Sequence, residues 1–530
     1  MIVSSPQAGK KSSGASMGLV AAAMRSGNVM QARLMLQDRL AHNPNDPDAL
    51  EKLAEIAAGQ RSIEEATILL QRAVAIDPSV PRRMALIAHL RRNAPALALA
   101  EIEQLPQAVR DDHEMRGVEA TLAGSLGMHD RQIRLYRAMT RERSGDPSLW
   151  VSLANALKTV GRTDEALKAL QRAIRVDQGY GDAWWTLANF KSYKFTHRDI
   201  AQMQAALRSQ PGEHDALHIH FALGKAYEDR GAYEESFRHY AVGNAIRART
   251  FDPDDVTMTP LVDSSIATFT PDLFDQNRNV GCPDEGPIFV VGLHRSGSTL
   301  IEQILASHSQ VEGTTELGVM KSLRERLARS TGKPAAEAIA ALTPAEARAI
   351  GEEYLSRTRP FRQTDRPYFV DKLPGNWANL ALIRIALPNA RIVDARRHPM
   401  ACGFSNFKQN YASGAGFSYS LEWIGTFYRD YWRFMRHFEE VEPGVVCRMI
   451  NEQLIDRPEA EVRRMLDHLR LPFEASCLEF HKNERAVRTP SAEQVRKPIN
   501  REGVDYWRHY EPWLDELKRS LGPALQEWAD

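Results

Sequence analysis

A phrase in the first half of this 530-residue chain comes back nearly unchanged: LQRAVAID at 70–77 returns as LQRAIRVD at 170–177. LAN at 153–155 returns at 187–189, an offset of 34. FALGKAYEDRGAYEESF at 221–237 matches LANALKTVGRTDEAL at 153–167 in its apolar and glycine positions. Self-similarity at a fixed period restricts the fold more than composition can, because every copy must solve the same packing problem. Residues 17–250 are rich in Ala and Leu with helical periodicity, so each copy reads as a helix pair. Such a pair cannot bury its apolar face alone, and neighbours must stack into a superhelix with a concave groove. Roughly six or seven units fit the segment, the first and third degenerate.

A period near 34, with a small residue in the first helix, Gly between helices and Ala in the second, resembles the tetratricopeptide repeat. After the repeats the pattern changes. Residues 251–286 are rich in Asp, Pro and Thr (FDPDD, TPDLF, CPDEGP) and read as a connecting segment with short helices. Beyond them IFVVG, YFVDK (368–372), ARIVDARR (390–397) and GVVCRMI (444–450) read as strands. They alternate with helical stretches such as STLIEQILASHS and NWANLALIRIAL. Strands alternating with helices imply a parallel sheet covered on both faces. The expected organisation is a disordered N-terminus at 1–16, repeats at 17–250, the connector at 251–286 and an α/β domain at 287–530.

Charge and cysteine usage exclude several classes. The 68 basic and 68 acidic residues balance, so nothing favours nucleic acid or a membrane surface, and any anion site must be local. Four cysteines stand far apart with no CxxC pair. That argues against a zinc site or a disulfide framework, suits a reducing compartment, and leaves the thiols as buried, inert groups. The N-terminus lacks a signal-like apolar core and no apolar run reaches 18 residues, which points to a soluble, cytoplasmic protein.

The chemistry concentrates in PIFVVGLHRSGSTL, residues 287–300. An apolar strand runs into a turn in which Gly292 and Gly297 enclose four residues, followed by Ser298 and Thr299. A turn of this kind offers backbone N–H groups and a helix N-terminus to an anion. A nucleoside triphosphate loop carries lysine where this chain has Ser298, and that lysine reaches the terminal phosphates. Here Arg295 stands two residues before the second glycine, able to meet an anionic group bidentately.

RSGSTL at 295–300, following a strand, resembles the phosphosulfate loop of sulfotransferases. The likeness is nearest to the protein-tyrosine sulfotransferases and to bacterial proteins that join tetratricopeptide repeats to such a domain. The resemblance implies the donor 3′-phosphoadenosine 5′-phosphosulfate (PAPS), the product PAP and no metal. It assigns the loop residues Arg295, Ser296, Gly297, Ser298 and Thr299 to the donor, and Arg397 with Ser405 to its 3′-phosphate. Arg396 competes with Arg397 for that role. TPSAEQVRKPIN at 489–500 matches a segment that closes over the nucleotide, which adds Ser491, Gln494 and Lys497. Two positions depart from the family pattern, Asn451 for a tyrosine and Tyr506 for a lysine.

For catalysis the resemblance supplies Glu316, in EGTTELG, as the base and Lys372, in VDKLPGN, as the cation at the bridging oxygen, beside Arg295. His294 and His308 are alternative bases, read instead as groups that shape and pack the loop. The aromatics of FYRDYWRFMRHF (427–438) read as core. The function implied is sulfuryl transfer from PAPS to an acceptor hydroxyl, with tyrosine of a protein or peptide first and the repeat groove holding that partner. The alternatives are a carbohydrate or small-molecule acceptor, with the repeats bracing the enzyme or forming a homodimer, and an inactive repeat scaffold.

Overall fold

A computed structural model describes residues 16–529 other than 61, 191, 315, 412–413, 484 and 486–493. Its contacts divide the chain into two compact units, and the division falls after Phe190.

The first unit is a series of helix pairs. They are Met17–Arg25 with Val29–His42, Pro47–Gly59 with Ile63–Ile76, Val80–Asn93 with Pro95–Glu103, His113–Ser125 with His129–Glu142, and Pro147–Thr159 with Thr163–Val176. Local chemistry sets their starts. Asp46 accepts hydrogen bonds from the amides of Asp48 and Ala49, and Pro47 occupies the first turn, where its missing N–H has no intrahelical partner to lose. Asp146 and Pro147 repeat the arrangement. The turn inside a pair needs a left-handed residue, supplied by Gly27, Gly127 and Gly161 at φ of 76°, 75° and 76°. Alanine lets the helices approach: Ala49, Ala54 and Ala57 on one helix and Ala66 and Ala73 on its mate are at most 1% exposed. Leu50, Leu53, Leu69 and Leu70 fill the remaining space.

The second unit begins with three more helices, His197–Arg208, Glu213–Glu228 and Tyr233–Ala248, with Gly231 left-handed in the last turn. The repeat pattern therefore runs on to residue 248 while the compact division falls earlier. The physical reason is burial, because the last hairpin packs against Phe407 and Lys408 and against Tyr506, His509, Tyr510 and Trp513. Asn244 Nδ2 donates to the Phe407 carbonyl at 2.7 Å, and the Phe237 ring stacks on Phe407 and Trp513. Short helices at Pro253–Val256, Thr259–Thr268 and Pro271–Gln276 lead to the sheet.

The sheet has strands β1 (Pro287–Gly292), β2 (Val311–Gly313), β3 (Tyr368–Lys372), β4 (Arg391–Arg396) and β5 (Val446–Ile450). All pairs are parallel, in the order β2-β3-β1-β4-β5. Every residue of the central β1 is buried, as a strand covered by helices on both faces must be. The three-residue β2 was not among the expected strands, being too short to carry a pattern. At the C-terminal edge of the sheet, helix α1 (Ser298–Ala306) follows β1 and helix α2 (Pro399–Phe407) follows β4, the edge where open α/β sheets hold ligands. Helix α3 (Leu421–Val441) buries Tyr428, Tyr431, Trp432, Phe434 and Phe438 as core. The four cysteines are buried and unpaired. Among the described residues no helix is long and apolar enough to cross a membrane.

Two glycines separate strain from collision. A Cβ at Gly161 would have no neighbour within 4 Å, so Gly161→Ala should cost only left-handed strain, about 1–2 kcal/mol by chemical denaturation. A Cβ at Gly292 would lie 2.3 Å from the Ala395 carbonyl oxygen, and Gly292→Ala should prevent the second unit from folding normally. Equal losses from the two substitutions would contradict this account.

Candidate active site

The loop after β1 is shaped by unusual backbone at three points. Gly292 has φ 137° and lies against the Ala395 carbonyl of β4, leaving no room for a side chain. Arg295 has φ 70°, a left-handed conformation that a non-glycine residue adopts at some cost. Gly297 has φ 100° and caps α1, and a Cβ there would meet Asn451 Oδ1 at 2.7 Å. The turn thus delivers the N-terminus of α1 to a cavity of about 350 Å³ lined by Gly297, Ser298 and Thr299.

Two arginines tie the loop to the neighbouring strand–helix corner, one from each side. Arg295 Nε donates to Ser405 Oγ at 3.0 Å, Ser405 lying on α2. Arg397, just past β4, donates through Nη1 to the Arg295 carbonyl at 3.1 Å and through Nη2 to the Gly503 carbonyl. Arg396 has a different role. It is buried against Asp394 at 2.9 Å and donates to the Trp528 carbonyl, and it does not line the cavity.

The cavity brings together most residues singled out in the sequence. Arg295, Gly297, Ser298, Thr299, Glu316, Lys372, Arg397, Gln494 and Lys497 all line it. Ser296 and Ser405 lie behind that lining. Ser296 is 2% exposed, and its hydroxyl has no hydrogen-bond partner among the described residues. Ser491 lies outside the described residues. Of the two departures from the family pattern, Asn451 lines the cavity against Gly297. Tyr506 does not line it; its ring lies under the Lys408 ammonium and edge-on to Tyr233. His294 lines the cavity, packed against Tyr411 and Phe417, while His308 is buried and bonded to the Pro472 carbonyl.

At the far side Lys372 Nζ, on β3, forms an ion pair with Glu316. Lys372 is 2% exposed in its side chain and Glu316 47% exposed, so the pair joins a buried cation to an open carboxylate. Sequence reading missed a second carboxylate, Glu302 on α1, which is buried 3.7 Å from Lys372 Nζ and 2.7 Å from Arg485 Nη2. Arg485 also donates to the Thr314 carbonyl at 2.9 Å, two residues before Glu316. Only the apolar run around Glu302 could have hinted that it is buried.

Residues 287–475 match the sulfotransferase family, and residues 18–81 and 147–190 match tetratricopeptide repeats. The chain therefore joins stretches that match tetratricopeptide repeats to a domain that matches the sulfotransferase family. A protein of Aquifex aeolicus (strain VF5), described as uncharacterized, is 30% identical over 388 residues, 71% of this chain. The match spans 50% of that relative's length. Among solved structures, the sulfotransferase domain from the Synechococcus PCC 7002 olefin synthase is 21% identical over 44% of this chain and 90% of its own, with a TM-score of 0.33. The sulfotransferase domain from the curacin biosynthetic pathway is 17% identical over 45% and 96%, also at 0.33. YrrB, described as a TPR protein with an unusual peptide-binding site, is 16% identical over 31% and 87%, at 0.28.

The electrostatics favour an anion. Burial lowers the Arg397 guanidinium from its usual value, and the like charge of Arg295 adds to this; two cations held this close are relieved by a shared anion. Burial pulls the His294 imidazole down to about 4, with Lys372 and Arg295 opposing Glu316, so it is neutral at pH 7. In an unfolded chain this histidine titrates near 6.5, so the unfolded state binds the proton first. Its contribution to stability is complete above pH 6.5 and is lost as pH falls towards 4. Histidine NMR should find the His294 resonance unmoved between pH 8 and about 5.5. A midpoint near 6.5 would contradict the burial seen here.

Proposed function

We propose that the cavity binds PAPS and transfers its sulfuryl group to an acceptor hydroxyl, with a tyrosine of a protein or peptide as the leading candidate. The observation that carries this reading is the convergence of Arg295, Arg397 and Lys372 with Glu316 on one cavity at a helix N-terminus, in a loop that has Ser298 where a triphosphate site needs lysine. The residues present fit the donor. Ser296 has a buried hydroxyl without a partner among the described residues, Arg397 is a half-buried cation beside a second cation, and Gly297 lines the cavity without a side chain. Arg295 and the amides of α1 would hold the 5′ sulfonate end, Arg397 and Ser405 the 3′-phosphate, and Gln494 and Lys497 the covering side.

Bound, the donor supplies an activated sulfuryl group whose transfer, like phosphoryl transfer, asks mainly for positioning and charge stabilisation. Lys372 and Arg295 supply fixed cations for the charge that develops on the transferring and leaving oxygens. Glu316, the exposed member of its ion pair, takes the acceptor proton. The open side of the cavity at Glu316 suits an acceptor carried on a larger partner, and the tetratricopeptide groove is the natural holder for such a partner. Incubating the protein with labelled PAPS and a cell extract identifies the acceptor: label on protein supports tyrosine, and label only on glycan or small molecules replaces it.

Three results are expected. PAP should bind in the micromolar range without Mg²⁺ and with no ATP hydrolysis, and tighter Mg²⁺-dependent binding of ATP in calorimetry would overturn the donor assignment. Arg397→Ala should weaken PAP by about 2–3 kcal/mol, the scale of a lost charge-assisted partner. Glu316→Gln should lower the transfer rate by ~10²–10⁴ with PAP affinity nearly unchanged, the usual range for a positioned base. If His294→Asn abolishes transfer and Glu316→Gln does not, His294 is the base instead.

A further inference from the structure

The hairpin of Glu213–Glu228 and Tyr233–Ala248 belongs to the repeat pattern, yet a polar cluster inside it reaches two elements of the donor cavity. Glu228 is 9% exposed. One carboxylate oxygen takes a hydrogen bond from Lys408 Nζ at 3.0 Å, and the other takes one from the Tyr240 hydroxyl at 3.1 Å. Nearby, Ser236 Oγ donates to the Gly224 carbonyl at 2.7 Å and lies 2.9 Å from the Tyr510 hydroxyl. The serine proton is thus used, and the Tyr510 hydroxyl faces both Ser236 Oγ and, at 3.5 Å, Glu228 Oε2.

The two outward contacts end on working parts of the site. Lys408 directly follows α2, whose Ser405 holds Arg295 and whose Asn406 donates to the His294 carbonyl at 2.8 Å. Asn244 of the hairpin grips the same helix end at Phe407. Tyr510 lies just downstream of residues 494–503, which form the covering wall of the cavity and whose Gly503 carbonyl receives Arg397. Its ring packs on Phe404 of α2 at 4.1 Å, and neighbouring His509 stacks on Tyr233 at 4.5 Å. One hairpin therefore fixes both the helix behind the loop and the segment in front of it.

We propose that Glu228 and Tyr510 are positioning residues for the donor: through Lys408 and Ser236 they set α2 and the 494–513 segment against the loop. Donor affinity then depends on repeat residues that do not line the cavity. The inference rests on the donor assignment above. A buried carboxylate whose cation sits on another element is a directional tether, and removing the lysine leaves the carboxylate buried and unmatched.

Calorimetric titration of PAP into the full chain tests it. Tyr510→Phe, which keeps the ring, should weaken PAP about fivefold, and Glu228→Gln more than about tenfold, in keeping with one neutral and one charged hydrogen bond. Lys225→Ala breaks an ion pair to Asp229 on the same hairpin that reaches neither element, and it should lower only the unfolding temperature. If Tyr510→Phe and Glu228→Gln lower the unfolding temperature but leave PAP affinity unchanged, the cluster is merely structural and the proposal fails. It fails equally if Lys225→Ala weakens PAP as much as they do. Hydrogen exchange without ligand gives a reading independent of the donor: Tyr510→Phe should speed exchange in 494–503 and spare β1. Unchanged exchange there overturns the inference even in a Glu228→Gln background that folds poorly. If the unaltered chain ignores PAP while exchange responds as expected, the donor assignment is wrong and the positioning role stands.

Discussion

The close approach of Gly292 to the Ala395 carbonyl is the constraint on which the site depends. It brings the end of β1 against the end of β4 with no side chain between them. The two strand–helix corners then sit near enough for Arg295 to reach Ser405 and for Arg397 to reach the Arg295 carbonyl. Parallel pairing of β1 with β4 on one side and β3 on the other carries Lys372 to the same edge. The cavity is thus a consequence of strand register as much as of loop sequence: move one strand by a residue and every side chain changes face.

That edge was legible in the sequence where backbone geometry demanded particular residues. Glycines at 292 and 297, an apolar run before them and hydroxyls after them can do few other things. The sequence preferred Arg397 to Arg396 by its spacing to Ser405, and the strand shows why the two arginines part company. Side chains alternate along β4, so Asp394 and Arg396 share a face and bond each other in the interior, while Arg397 emerges past the strand end on the cavity side. Other parts were silent. β2 is three residues long and has no period to read. Glu302 lies in an apolar helix, and its partner Arg485 comes 183 residues later, a pairing that no local pattern announces.

Glu302 also changes how the Lys372–Glu316 pair is understood. Lys372 is almost completely buried, and a lone buried ammonium is costly. With Glu302 behind it and Glu316 in front, its charge is matched on the interior side whether or not Glu316 stays engaged. On the proposed mechanism Glu316 must turn from Lys372 to an acceptor proton. Glu302 lets it do so without stranding the cation, and through Arg485 it also fixes the chain at Thr314.

The last hairpin shows why the compact division and the repeat pattern do not coincide. A terminal repeat leaves an apolar face that a stack of identical units cannot cover, and arrays normally end in a polar cap. Here the hairpin is covered by Phe407, Tyr510 and Trp513, so the α/β body serves as the cap. A cap that is also the wall of a binding site cannot be energetically separate from it. If the hairpin's contacts strengthen donor binding, donor binding must strengthen those contacts by the same free energy, because linkage between binding equilibria is reciprocal. On that reading Glu228 and Tyr510 are the points at which the hairpin and the loop would exchange this free energy.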